Sequence, residues 1–447
     1  MNKNTEFSTS EQPYIAQTEK FFHGGKIAII MVGLPARGKT HLSVSICRYL
    51  RWLGVKTHVF HLGDYRRKNL KKGEVLPEDY FYANPSEKTK EFRNSVLSCC
   101  KIDIIKFFDS EEGQVAIYDA VNPRISDRQG LATFFAEKNI QPLFIESLCD
   151  DPDIIEENVR NLKISSPDYA GWKPEDAVKD YFLRIKNRIP IYETIVEHDL
   201  SYIKIININQ KLIINNANIG YLHSRIIFYL MNLHIKPRVI YFARACNSLH
   251  DSNFKKEDDF SDRKKYEYAT ALVNTLLKHR ETLQNQLTSD KNKEIKDLMI
   301  WTPISDKICY IADLLRNNGY IIYQRPQLRQ INLGMVEDMT LEEIKEKYPL
   351  EIRCFQENPN THRFPRGESM HDLRHRLEPV IFEIEKESND ILIVAHISVI
   401  KLLYAYFMNT PTDKIPFLNL PKNQIIKIIP GAYICTETRI HIPITLS

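Results

Sequence analysis

A short apolar run, Ile27 to Val32, leads without a break into Gly33-Leu34-Pro35-Ala36-Arg37-Gly38-Lys39-Thr40, and an amphipathic stretch follows at once. This is the spacing of a phosphate-binding loop, in the context of strand and helix that such a loop requires. The constraint on folding is severe, because the loop works only where a buried strand delivers the chain to the N-terminal end of a helix. There the backbone N–H groups and the positive helix end cradle phosphate oxygens. In that arrangement Lys39 neutralises the β and γ oxygens of a nucleoside triphosphate, and the Thr40 hydroxyl ligates magnesium. A nucleoside triphosphate and Mg2+ are therefore expected, held by Gly33, Leu34, Pro35, Ala36, Arg37, Gly38, Lys39 and Thr40.

The flanking pattern agrees. Leu42, Ile46, Tyr49, Leu50 and Leu53 share one face of a helix over Thr40–Leu53, and Gly54 follows as a stop. Further strands are expected at His58–His61, Val115–Tyr118 and Pro142–Glu146. Alternating with longer amphipathic segments, they make an open, mostly parallel α/β sheet. A second α/β series opens at Arg238, where the run Val239–Ala243 reaches Arg244 and a later run, Ile391–Val394, reaches His396. The expected organisation is a disordered polar leader over 1–23, one domain over 24–236 and another over 237–447. Within the last, His250–Lys265 and Gln284–Lys296 read as exposed loops or solvated helix faces.

Charge and cysteine usage exclude several classes of function. The 61 basic and 57 acidic side chains are interspersed and leave a formal charge of +4, too little for a nucleic-acid or membrane-surface protein. The eight cysteines have no metal-ligand spacing and read as reduced thiols of a cytoplasmic chain. No apolar stretch approaches the roughly 20 residues of a membrane-spanning helix.

The metal needs a second oxygen ligand, and Asp119, directly after Val115–Tyr118, supplies an acid at a strand end. The same carboxylate could take the proton of an acceptor hydroxyl, or merely cap a turn. A phosphorylated acceptor needs clustered cations, for which Arg66, Arg67, Arg93, Lys163 and Arg184 are the candidates, although each alone reads as a surface charge. Cys149 follows a strand end and either lines the site or is a buried structural thiol.

These residues resemble a known family, the bifunctional 6-phosphofructo-2-kinase/fructose-2,6-bisphosphatases, from about Lys26 to Ile434. The resemblance is carried in order by Gly33–Thr40, Leu62-Gly63-Asp64-Tyr65-Arg66-Arg67, Glu146-Ser147-Leu148-Cys149-Asp150-Asp151-Pro152-Asp153 and Lys163-Ile164-Ser165-Ser166-Pro167-Asp168-Tyr169. It implies a P-loop kinase domain followed by a histidine-phosphatase-like (phosphoglycerate-mutase-like) α/β domain. It further implies transfer of the ATP γ-phosphoryl group to the 2-hydroxyl of fructose 6-phosphate. On the same resemblance Asn158 and Lys163 join the nucleotide site, Lys39, Asp119 and Cys149 are catalytic, Thr40 and Asp119 hold the metal, and Arg66, Arg93, Lys163 and Arg184 contact the sugar phosphate. A homodimer is compatible with it.

Departures from the family pattern are informative. A sugar-binding threonine is replaced by Val121, an arginine by Asp127 with Arg128 beside it as a candidate substitute, and a substrate-side tyrosine by Arg188. In the second half the nucleophilic histidine of an Arg-His-Gly triplet is replaced in Arg244-Ala245-Cys246, and alanine has no nucleophilic atom. The general-acid glutamate is Gln330, which has no proton to donate, and a phosphate-binding arginine is Lys307. Arg244, Arg363 and His396 survive, with His396 read as structural once its partner is gone. The expected function is fructose 2,6-bisphosphate synthesis without its hydrolysis. The alternatives are a non-catalytic nucleotide-binding regulator of sugar-phosphate metabolism and a P-loop kinase with another phosphorylated acceptor.

Overall fold

The computed structural model describes residues 25–70, 76–165, 167–169, 171–207, 210–217, 220–234, 238–245, 262–287, 296–304, 309–337, 339–420, 423–431 and 435–444. The expected leader over 1–23, together with Cys246 and Lys307, lies outside them, as does the side chain of Lys163. The chain divides into two compact units, Met1–Met231 and Asn232–Ser447.

In the first unit the order is β1 (Lys26–Val32), α1 (Lys39–Trp52), β2 (Thr57–His61), α2 (Leu62–Asn69), α3 (Glu87–Asp109), β3 (Val115–Asp119), α4 (Ile125–Ala136), β4 (Ile140–Leu148), α5 (Pro152–Ser165), α6 (Pro174–Arg188), β5 (Tyr202–Ile206), β6 (Lys211–Asn215) and α7 (Tyr221–Asn232). The strands form a sheet in the order β2-β3-β1-β4-β5-β6, parallel except for β6, which runs antiparallel to β5. Central β1 explains its own sequence: flanked by β3 and β4 and covered on both faces, Ile27 to Val32 are at most 1% exposed, so the run has no polar alternation.

The chain leaves β3 on one side of β1 and enters β4 on the other. This opens a crevice beyond the carboxyl ends of these strands, where open α/β sheets place their ligands. Helix α1 buries Leu42, Ile46, Tyr49 and Leu50, and Gly54 turns the chain at φ 92°. Tyr49 stacks on Tyr229 of α7 at 4.4 Å. On one side of the sheet Phe60, Phe107, Phe108, Phe135 and Phe144 fill the core.

The second unit runs β7 (Ile240–Arg244), α8 (Asp262–Leu287), β8 (Leu298–Thr302), α9 (Cys309–Asn317), β9 (Ile322–Gln324), α10 (Leu341–Lys347), α11 (Pro349–Glu357), α12 (Met370–Lys386), β10 (Asp390–Ala395), α13 (Ile397–Phe407), β11 (Gln424–Ile429) and β12 (Thr436–His441). Its sheet has the order β12-β11-β7-β10-β8-β9, with β11 and β12 antiparallel. Ala395 is the register partner of Arg244, so His396 and Ala245 leave neighbouring strand ends. Helix α12 begins in a capping box of Ser369 and Asp372, and α10 in one of Thr340 and Glu343. Among the described residues no helix is long and apolar enough to cross a membrane.

Candidate active site

Four strand ends converge on the crevice of the first unit. From β1 the chain enters the loop at Gly33, whose φ is 139°; a Cβ there would stand 2.6 Å from the Ser147 carbonyl oxygen, so only glycine fits. The Gly33 N–H bonds the Val121 carbonyl at 3.1 Å, and the Ser147 hydroxyl bonds that of Arg37. Asn158, from α5, donates to the Ala36 carbonyl at 3.0 Å. The expected nucleotide residue is thus a brace on the loop backbone, where Ala36 holds a left-handed φ of 61°. At the start of α1, Gly38 is left-handed at φ 79° and turns the chain into the helix.

Lys39 is buried, and its ammonium donates to the Leu34 carbonyl at 2.6 Å. Burial pushes it down to about 8, against the pull of Asp119. The Thr40 hydroxyl donates to Asp119 Oδ2 at 2.8 Å, so the hydroxyl after the loop lysine and the acid ending β3 face one another. His61 Nδ1 lies 2.8 Å from the same oxygen. Burial alone would lower His61, but its hydrogen bond to Asp119 and the charge of that carboxylate outweigh this and hold it above the ordinary histidine value. The cause is register: β2 and β3 are parallel and His61 pairs with Asp119. Sequence reasoning ended a strand at His61 and missed its role, since which residue it opposes depends on strand pairing.

The residues present fit a metal-bound triphosphate. Among the described residues no group of three or more His, Cys, Asp or Glu could hold a metal ion unaided. The Thr40 and Asp119 oxygens therefore suit a magnesium ion whose other ligands are phosphate oxygens and water. Cys149 is buried just past β4, and burial lowers the Arg37 guanidinium below its ordinary value.

The expected acceptor arginines fall into two groups. Arg66 and Arg184, from α2 and α6, both reach Asp168, the latter at 3.2 Å, and Arg67 reaches it at 2.8 Å. Arg184 lies 4.0 Å from the ring centre of Phe81, and Arg66 5.2 Å from the same ring. Arg93 instead spends its guanidinium on the carbonyls of Tyr80 and Tyr82, at 2.9 Å for the latter, and stands 5.3 Å from the Tyr80 ring centre. Asp168 was visible in sequence only as part of a motif.

One expectation is corrected. Arg128 does not replace the arginine lost at Asp127: it is fully buried and forks onto Glu197 at 2.9 and 3.2 Å, with a third bond to the Glu193 carbonyl at 2.8 Å. Arg188 is pushed down to about 10 by burial and by the charges of Arg93 and Arg124.

In the second unit Arg244, Ala245 and His396 lie at two neighbouring strand ends. Ala245 is buried in the core beside Tyr268, with its N–H on the Ala395 carbonyl at 2.9 Å. Gln330 bonds Glu337 at 3.1 Å, and Arg363 forks onto the capping carboxylate of Asp372 at 2.5 Å. His396 is the N-cap of α13 and accepts from the Ser398 N–H through Nδ1. Arg244 is buried at the end of β7, and its carbonyl accepts from the Tyr268 hydroxyl at 2.9 Å. The intact segments around Ile331–Gly334 and Phe364–Ser369 clamp one another: a Cβ on Gly334 would stand 2.3 Å from the Pro365 carbonyl oxygen. Arg376 ties Glu368 to the Gln327, Arg329 and Gln330 carbonyls.

Comparison with known proteins gives a consistent result. A family profile described as 6-phosphofructo-2-kinase matches residues 15–237, and one described as histidine phosphatase superfamily (branch 1) matches residues 310–433. The 6-phosphofructo-2-kinase/fructose-2,6-bisphosphatase of Gallus gallus is 36% identical over 91% of this chain and 83% of its own length. Form 4 of the same enzyme from Homo sapiens is 35% identical over 91% of this chain and 83% of its own. A Saccharomyces cerevisiae relative carrying the same family name is 35% identical over 99% of this chain and 88% of its own length.

Proposed function

Since the chain belongs to the bifunctional 6-phosphofructo-2-kinase/fructose-2,6-bisphosphatase family, we propose that it transfers the γ-phosphoryl group of ATP to the 2-hydroxyl of fructose 6-phosphate and does not hydrolyse the product. The observation that carries the kinase half is the 2.8 Å contact between Thr40 and Asp119 beneath an intact phosphate loop. Magnesium, when bound there with the nucleotide, neutralises charge on the transferring group.

The chain's own groups do the rest. The loop amides and Lys39 hold the triphosphate tail, and Asn158 fixes the loop. Asp119, kept in place by His61, is the base within reach of a hydroxyl presented to the γ-phosphorus, and Arg66 and Arg184 anchor the acceptor's phosphate. As the new P–O bond forms, the bond from the γ-phosphorus to the bridging oxygen breaks, and the hydroxyl proton passes to Asp119. The phosphatase half has a methyl group at Ala245 and an amide at Gln330, which supports its silence. We place the protein in the cytoplasm on its cysteine usage.

The test is fructose 2,6-bisphosphate formation by the full chain against a Lys39→Ala control. Equal yields would overturn the reading. The replacements Val121, Asp127 and Arg188 favour a second possibility, a different phosphorylated acceptor. A panel of sugar mono- and bisphosphates, with phosphoryl transfer as the readout, separates the two.

A further inference from the structure

Asp168 is the one carboxylate on which Arg66, Arg67 and Arg184 meet among the described contacts. Arg66 and Arg67 belong to α2 and Arg184 to α6, far apart in sequence. Three guanidinium groups brought together repel one another unless an anion sits among them. Asp168 is 15% exposed in its side chain, and although burial alone would raise it, Arg66 and Arg67 hold it down at about 2, so it is ionised at any physiological pH.

Its arginines are fixed on their other sides. Arg67 also pairs with Asp64, and Arg184 Nε lies 2.9 Å from Asp180, which accepts from the Tyr169 hydroxyl. Arg184 is layered between Phe81 at 4.0 Å and Tyr169 at 4.9 Å, which orients the plane of its donors. Arg66 and Arg184 share a single oxygen of Asp168, which brings donors from two helices within the span of one phosphate group. The segment is also continuous with the nucleotide site: α5, which ends three residues before Asp168, carries the Asn158 that braces the phosphate loop.

We propose that Asp168 is a positioning residue which gathers Arg66, Arg67 and Arg184 into one preorganised cradle for the phosphate of the acceptor. The proposal rests on the kinase reading for the identity of the acceptor, and on the geometry alone for the cradle. Preorganisation predicts a definite sign. A carboxylate that only competed with phosphate would weaken binding by its presence, and its removal would tighten it. One that holds guanidinium groups in place would, on removal, release them and loosen binding.

The experiment is calorimetric titration of the full chain, with the nucleotide site filled by MgADP, using fructose 6-phosphate and inorganic phosphate as separate probes. In Asp168→Asn the affinity for both probes falls about tenfold or more, and in Asp168→Glu part of it returns. The KM for the acceptor rises while kcat and MgATP affinity stay near those of the wild type. Unchanged or tighter binding in Asp168→Asn overturns the proposal, as does a parallel loss of MgATP affinity. If the wild type takes inorganic phosphate but not fructose 6-phosphate, the acceptor assignment falls and the phosphate titration alone judges Asp168. If it takes neither, both fall.

Discussion

Thr40 and Asp119, 79 positions apart in sequence, are joined by a hydrogen bond of 2.8 Å at the mouth of the crevice. One group comes from the loop after β1 and the other from the end of β3, so the contact exists only because these strands are parallel neighbours. On the proposed reading, replacing either oxygen removes the same metal-side support. Thr40→Val and Asp119→Asn are each expected to lower kcat by about a hundredfold or more, as loss of metal-borne charge stabilisation implies. The double variant should fall little further than the worse single one. Steady-state kinetics on the four proteins checks this, and full additivity would contradict it.

Nucleotide affinity should depend on the protonation of Lys39. Its ammonium is held down at about 8 by burial, and the triphosphate requires the charged form. The affinity for MgATP is therefore expected to fall as pH rises through about 8. Lys39→Arg, which stays charged, should bind more weakly at neutral pH but lack that inflection. Titration by calorimetry between about pH 6.5 and 9.5 provides the comparison.

His61 gives a pH effect of its own. Its folded pKa lies above the ordinary value, so its contribution to stability is fully present below about 6.5 and is lost as pH rises through the raised value. A His61→Asn variant should lose this component of the melting-temperature profile and show lower kcat through a less firmly held Asp119. An identical profile for the variant would show that the pair carries no linkage.

Arg128 predicts an effect on stability. Arg128→Met leaves the Glu197 carboxylate in a buried setting without its partner, which costs about 3–5 kcal/mol. Burial would raise Glu197, but Arg128 outweighs it and lowers it. The pair's contribution is thus present above about 4.3 and lost as pH falls through the lowered value. Denaturant midpoints at two pH values measure both statements.

Much of this architecture could be read from the sequence, because its signals are local. The loop from Gly33 to Thr40 announces its own strand and helix, and the expected helix over Thr40–Leu53 is found as Lys39–Trp52. The strand ending at Tyr118 extends one residue further, to Asp119. What escaped depends on pairing between distant segments. Arg128 was read as a spare cation for the acceptor because nothing local marks Glu197 as its partner, 69 positions away. His61 gained its role from register, and Asp168 from the approach of two helices. The edge strand β12, short and partly exposed, lacks the apolar run that betrays a central strand.

The clearest consequence for the second half comes from the methyl group of Ala245, which is 9% exposed and packed among apolar neighbours. An imidazole restored there would have to find space and a polar partner before it could attack anything. Gln330 would still carry an amide in place of the acid, and Arg363 is already held by Asp372. Ala245→His alone is expected to lower the melting temperature and to trap no phosphoenzyme from labelled fructose 2,6-bisphosphate. On the proposed reading, hydrolysis would return only if changes at Ala245 and Gln330 arrived together.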